Sequence, residues 1–168
     1  MRTRLVLVVF VLGMVAVGAA VAGLNRSWST HANGEIEVPA RATNAQGQAI
    51  FHLSKDGTEV EYRLIASNIE NVVQAHIHLG PPGVNGPIVA FLFGPVGAGG
   101  GRHNGVLSTG TITAANLIGP LLGQSLSALT AALNGGNAYV NIHTSDGVAP
   151  ADTGPGDFPG GEIRGDIG

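Results

Sequence analysis

The stretch Ala49–Leu64, AIFHLSKDGTEVEYRL, carries the pattern that decides the fold. In its second half Val60, Tyr62 and Leu64 alternate with charged residues, so one face is apolar and the other is charged. The first half also alternates, and Lys55-Asp56-Gly57 between the two halves has the chemistry of a tight turn. The stretch is therefore predicted to form a β-hairpin.

Short apolar runs separated by Gly, Pro, Asn and Asp continue on both sides of this hairpin. The further strand candidates are 35–42, 72–79, 88–93, 106–112, 137–144 and 162–167, and the glycine-rich stretch 94–105 is expected to be a loop. About eight short strands at this spacing predict an all-β sandwich or barrel. Before the late strands, leucines recur at steps of three and four over 113–133, which predicts one or two short helices packed into the core.

The N-terminal segment has the pattern of a targeting sequence. Arg2 and Arg4 precede an uncharged run from Leu5 to Leu24, and Ala20-Val21-Ala22 fits the small residues of a cleavage site. Residues 1–22 are therefore predicted to be a signal peptide or, if they are not cleaved, an N-terminal membrane anchor.

The rest of the chain is predicted to lie outside the cytoplasm. Residues 23–32 are polar and are interpreted as a linker, and residues 33–168 as a single domain. Whether the leader is cleaved or retained as an anchor, the domain is predicted to be secreted, periplasmic or held at the cell surface. Contact with a membrane is expected only through an uncleaved N-terminal segment.

Composition excludes several functions. The 168 residues include eight Lys and Arg against eleven Asp and Glu, so the chain lacks the basic charge of a nucleic-acid binder. There is no cysteine, which excludes disulfides, cysteine zinc sites, iron–sulfur clusters and a thiol nucleophile. Both methionines lie in the leader, so the domain offers no sulfur ligand to a metal.

Three histidines are candidate metal ligands. Residues two apart in a strand share a face, so His76 and His78 point the same way, and His143 lies on the polar face of a later strand. Neutral imidazole is a common ligand of copper(II) and zinc, and three of them would leave one coordination position open. Copper or zinc is therefore the possible cofactor, whereas copper(I) is disfavoured without sulfur. No catalytic residues are identified.

The same polar faces carry four further side chains: Tyr139, Asn141, Glu162 and Arg164. If the three strands are neighbours, these residues and the histidines form one patch. The alternative to a metal site is a hydrogen-bonded polar network in which Glu162 and Arg164 form an ion pair. The sequence leaves both interpretations open.

Four segments resemble the motifs of the CHRD domain, which is named after chordin. They are Ala75–Gly80 (AHIHLG), Gly83–Val89 (GVNGPIV), Ala138–Thr144 (AYVNIHT) and Phe158–Gly165 (FPGGEIRG). The resemblance implies an extracytoplasmic sandwich of immunoglobulin-like or superoxide-dismutase-like shape, and chordin itself is an extracellular binder of growth factors. This chain departs from the family in its longer insert between Thr144 and Phe158.

The His-x-His strand is also similar to the copper-binding strand of copper–zinc superoxide dismutases, where two histidines on one strand and a later one bind copper. No zinc site is evident and the disulfide cysteines are missing, so dismutase activity is not assigned.

Three functions follow from these patterns. The first is a non-enzymatic binding or structural module whose partner is an extracellular protein or a surface polymer. The second is a copper- or zinc-binding protein, redox-active or not, that uses His76, His78 and His143. The third is a glycan binder, for which Trp28, Tyr62 and Tyr139 are the stacking candidates.

Overall fold

The computed structural model describes residues 26–168, which fold into eight strands with little helix. The strands are β1 (Ser27–Asn33), β2 (Gln46–Leu53), β3 (Val60–Glu70), β4 (Val72–Leu79), β5 (Ile88–Phe93), β6 (Arg102–Ile112), β7 (Ala138–Thr144) and β8 (Ile163–Ile167). The prediction of an all-β fold is confirmed. The predicted leader, residues 1–22, lies outside the described residues.

The predicted hairpin is formed by β2 and β3. The two strands pair in antiparallel orientation over the whole length of β2, with Phe51 opposite Tyr62 and Ala49 opposite Leu64. The alternation fixes the faces, because Phe51 and Leu64 are buried while Arg63 is exposed. The turn is held by the Ser54 hydroxyl, which donates to Asp56 Oδ1 over 2.6 Å.

All eight strands belong to one nearly closed antiparallel sheet in the order β5-β4-β7-β8-β1-β2-β3-β6. The Ser108 hydroxyl joins the two edge strands, because it donates from β6 to the Leu92 carbonyl of β5 over 2.8 Å. The Tyr62 hydroxyl of the neighbouring strand β3 donates to the same carbonyl over 2.8 Å. The sheet encloses one hydrophobic core. The sandwich type named from the family resemblance stays a prediction.

The predicted linker is wrong for most of its length, since Ser27–Asn33 forms β1. This strand pairs with β2 over seven residues and touches β8 at Asn33 opposite Arg164. Trp28 is buried on its inner face and donates its Nε1 proton to Asn134 Oδ1 over 3.0 Å. The sequence signal was hidden because the outward residues of β1, and inward Thr30, are polar.

The structure also corrects the predictions for two other segments. The predicted strand 35–42 is a series of turns in which the backbone N–H groups of Glu37 and Arg41 both donate to the Gly34 carbonyl. Its apolar Ile36 is exposed, whereas Glu37 is buried. The glycine-rich loop is shorter than predicted, because β6 already begins at Arg102.

The leucine-rich segment confirms the predicted short helices between late strands. It contains two single-turn 3-10 helices, Ala114–Asn116 and Gly119–Leu121, and one α-helix, α1 (Leu126–Asn134). Most of its leucines are buried in the core, namely Leu117, Leu121, Leu126, Leu129 and Leu133. No helix within residues 26–168 has the length and apolar character needed to cross a membrane.

Candidate metal centre

The three strands that carry the predicted polar faces are neighbours in the sheet, in the order β4-β7-β8. The register places His76 opposite Asn141 and His78 opposite Tyr139. Directly paired residues on one face have Cβ atoms about 5 Å apart, so these side chains must touch. The polar faces of these strands therefore lie side by side, with Arg164 of β8 opposite Asn141.

The imidazoles of His76, His78 and His143 converge in this patch. One candidate ligand atom from each residue lies within 4.8 Å of those of the other two. His76 Nδ1 and His143 Nε2 are 3.2 Å apart, and all three residues are buried, with exposed fractions of 0%, 7% and 6%. The structure thus groups the three predicted ligands away from bulk water.

Two backbone carbonyls determine which ring nitrogens of His78 and His143 carry the proton. His78 Nδ1 lies 2.9 Å from the Gly86 carbonyl and His143 Nδ1 lies 2.9 Å from the Pro159 carbonyl. Since a carbonyl only accepts, both Nδ1 atoms must carry the proton, and each Nε2 keeps a lone pair. This is the arrangement of metal-bound histidines, which usually donate their second ring N–H to a carbonyl or carboxylate.

Two of the buried ring nitrogens lack a hydrogen-bond partner. His76 Nε2 and His78 Nε2 have none among the described residues. A buried polar atom without a partner is rare in folded proteins and calls for an explanation such as an ion or a water molecule.

Burial keeps the three imidazoles neutral. It lowers the pKa of His76 to about 3, helped by the charges of His143 and His78, and it lowers the pKa of His143 to about 4. Burial also lowers the pKa of His78, with a further contribution from Arg164. Neutral imidazole is the form that binds a metal ion.

Acid is expected to destabilise the metal-free protein through this cluster. The unfolded chain protonates its imidazoles near pH 6.5, whereas folded His143 and His76 resist protonation until about pH 4 and about pH 3. Below pH 6.5 the unfolded state therefore binds more protons, and the free energy of unfolding falls by up to about 1.4 kcal/mol per pH unit for each imidazole. Urea unfolding at pH 7, 6 and 5 measures this slope.

The control for that experiment is His31→Asn, since His31 is exposed and lies outside the cluster. His76→Asn is expected to give a shallower pH slope than the wild type, whereas His31→Asn is not. Equal slopes in the His76 variant and the wild type would contradict the claim that burial of this imidazole causes the loss of stability in acid.

Tyr139 links the cluster to Arg164. The Tyr139 ring stacks on His78 with a centroid distance of 4.8 Å and an angle of 12°, and the Arg164 guanidinium lies 3.6 Å from the Tyr139 centroid. The Tyr139 hydroxyl accepts a 2.9 Å hydrogen bond from the Gly86 N–H. Tyr139 thus touches both a candidate ligand and the loop that orients it.

Arg164 binds that loop, which runs from residue 80 to 87. It is fully buried and donates to the carbonyls of Pro81 at 3.0 Å and Val84 at 3.1 Å. Its charge is balanced by Asp166, whose Oδ1 lies 2.7 Å from Arg164 Nε. Arg164 therefore helps to hold the loop against the sheet, together with Tyr139.

The predicted ion pair between Glu162 and Arg164 is wrong within the described residues. Glu162 is fully buried and accepts hydrogen bonds from the hydroxyls of Thr43 and Thr144, both at 2.6 Å, and from the Gly156 N–H at 2.8 Å. Its partners therefore come from three separate loops and strands. Residue alternation alone could not show that the carboxylate faces these donors.

Sequence reasoning missed Glu37, which is buried beside Asn141. Burial raises the pKa of Glu37, although hydrogen bonds from Val38 and Asn141 oppose the shift. A side chain on Gly161 would overlap both Glu37 and Asn141, so this glycine is needed for the close approach. No sequence signal marked Glu37, because the segment was interpreted as an alternating strand.

The remaining histidines are outside the cluster. His31 and His52 are exposed, and their rings contact Gln46 and Ser27. His103 is half-buried beside the Gly105 carbonyl. None of these three residues belongs to the group of convergent imidazoles among residues 26–168.

Comparison with known proteins identifies the family. The family model of the CHRD domain matches residues 28–167. No curated protein and no solved structure matches the chain significantly.

Proposed function

The chain belongs to the CHRD domain family, and from this premise we propose that it is a non-enzymatic binding module outside the cytoplasm whose ligand is a copper(II) or zinc ion. His76, His78 and His143 would supply the three protein ligands. The observation that carries the proposal is the convergence of three buried neutral imidazoles, two of them with the Nδ1 proton held by a backbone carbonyl.

The donor set supports this class of metal. Three imidazole nitrogens suit zinc and copper(II), whereas calcium and magnesium prefer oxygen ligands. Three protein ligands also leave a fourth position for water or another small ligand. A redox role is the second candidate function. It would require copper, because zinc has no redox chemistry.

Location and shape are part of the proposal. The charged start, apolar run and small residues of the leader support export, and CHRD domains occur in extracellular proteins. The nearly closed sheet, whose edge strands β5 and β6 are joined by a side-chain hydrogen bond, is compatible with a flattened sandwich of immunoglobulin-like or superoxide-dismutase-like type. An extracellular protein or surface polymer would be the macromolecular partner.

Metal titration tests the proposal. The metal-free protein is expected to bind one Cu²⁺ or Zn²⁺ ion, and His78→Ala is expected to weaken binding by at least about 100-fold, because even outer-shell changes cost 10–100-fold. Isothermal titration calorimetry measures the affinity, and circular dichroism confirms that the variant is folded.

The matched control is His52→Ala, which removes an exposed imidazole from β2. Unchanged binding in His78→Ala, or an equal loss in His52→Ala, would refute the metal site. Robust turnover by the metal-free protein in a hydrolase and oxidoreductase screen would refute the non-enzymatic assignment.

A further inference from the structure

A polar cavity of about 620 Å³ lies where β3 ends, and the proposed metal centre does not use it. Its side chains come from the 43–44 loop, the end of β3, the start of β6 and the residue before β8: Thr43, Asn44, Asn68, Glu70, Arg102 and Glu162. This volume is within the range of small-molecule sites, which is about 300–1,000 Å³.

The end of β3 is shaped to present polar groups to this cavity. A register shift in the β3–β6 pairing follows Ala66, and Asn68 adopts a left-handed backbone with φ of 52°. Asn68 is held there by its N–H, which donates to Asn104 Oδ1 over 2.8 Å, and by Arg102, which donates to Asn68 Oδ1 over 3.0 Å. Such conformations concentrate at functional sites because the surrounding structure must enforce them.

Glu70 keeps a free carboxylate at the cavity. Glu70 and Arg102 are directly opposite each other on β3 and β6, yet no ion pair joins them within the described part of the chain. The guanidinium is turned to Asn68 instead. An exposed acceptor and an exposed donor therefore face the same space without neutralising each other.

The long insert between β7 and β8 forms another wall through Pro155 and Gly156. The Gly156 carbonyl accepts from Asn71 Nδ2 over 3.2 Å, and its N–H donates to Glu162 over 2.8 Å. Gly156 has a φ of 86°, and a Cβ there would lie 3.2 Å from both Asn71 and Glu70. The insert is thus fixed to the cavity at this residue.

The chemistry of the lining selects a class of ligand. A cation would face the Arg102 guanidinium, an anion would face Glu70 and Glu162, and an apolar group would desolvate the Glu70 carboxylate without offering it a partner. A neutral ligand rich in hydroxyl groups can both donate to the carboxylate and accept from the guanidinium. We propose that this cavity binds a neutral saccharide unit of a surface polymer.

The test uses the full-length protein in excess EDTA, so that a bound metal cannot contribute. Neutral oligosaccharides built from glucose, mannose, galactose and N-acetylglucosamine are presented on an array, and the binders are then titrated by calorimetry. At least one of these series is expected to bind saturably. Asn68→Gly, which keeps the left-handed backbone but removes the amide, and Glu70→Gln are each expected to weaken binding by about tenfold or more.

Glu59→Gln is the matched control, because it neutralises an exposed acid on the hairpin turn and is expected to bind like the wild type. The proposal is overturned if no neutral oligosaccharide binds, if only charged oligosaccharides bind, or if both cavity variants bind as tightly as the wild type. Failure of this test leaves the metal titration unaffected, since EDTA separates the two sites.

Discussion

Replacing Arg164 with methionine is expected to destabilise the protein by about 3–5 kcal/mol, the usual cost of removing one member of a buried ion pair. Arg164 is fully buried, and its loss would leave Asp166 and the carbonyls of Pro81 and Val84 without their donor. Methionine has a similar length, so the effect reports the lost charge and hydrogen bonds more than lost volume. Urea unfolding at pH 7 measures the change.

The same substitution has a second readout at the imidazole cluster. Without Arg164 the 80–87 loop loses its hydrogen bonds at Pro81 and Val84, and the Gly86 carbonyl then holds the Nδ1 proton of His78 less firmly. Copper or zinc affinity is therefore expected to fall by about 10–100-fold, as for other outer-shell changes. Arg63→Met is the control, since Arg63 is exposed on β3. Equal stabilities of the two variants would contradict this role of Arg164.

Gly86→Ala is the second substitution with a large expected effect. A Cβ on Gly86 would overlap the carbonyl oxygen of Leu79, which belongs to the backbone and cannot rotate away. The loop would have to move, and the hydrogen bonds of Gly86 to Tyr139 and His78 would break. Strain and two lost hydrogen bonds together are expected to cost about 3 kcal/mol or more.

Thermal and urea unfolding of Gly86→Ala measure this loss. Gly97→Ala is the matched control, because a Cβ there would meet no atom within 4 Å in the described residues, and it is expected to change stability by less than about 0.5 kcal/mol. A wild-type stability for Gly86→Ala would show that the loop accommodates a side chain, and would remove the reason for glycine at this position.

Alternation made the imidazole cluster predictable, since a period of two assigns His76, His78 and His143 to polar faces whatever the distant structure. The partners of those faces were not predictable in the same way. Glu162 meets Thr43, which is 119 residues away in the chain, and no local pattern encodes that contact. The assignment of an ion pair to Arg164 failed for this reason.

The missed strand β1 has a related cause. Its inward face consists of Trp28, Thr30 and Ala32. Because the middle one of these three side chains is polar, the segment shows no recognisable apolar alternation. Only pairing with β2 and β8 makes this segment a strand. Likewise, the burial of Glu37 depends on Asn141 and Gly161, which lie more than 100 residues further along the chain.

The position of β8 also governs the order in which the chain can fold. It is the last strand in sequence, yet it lies between β7 and β1 in the middle of the sheet. The hairpin of β2 and β3 can form early, but β1 cannot meet its second neighbour until Arg164, 131 positions after Asn33, has been synthesised. Such distant pairings close slowly. A newly made chain therefore keeps one edge of β1 unpaired until its last described strand is available.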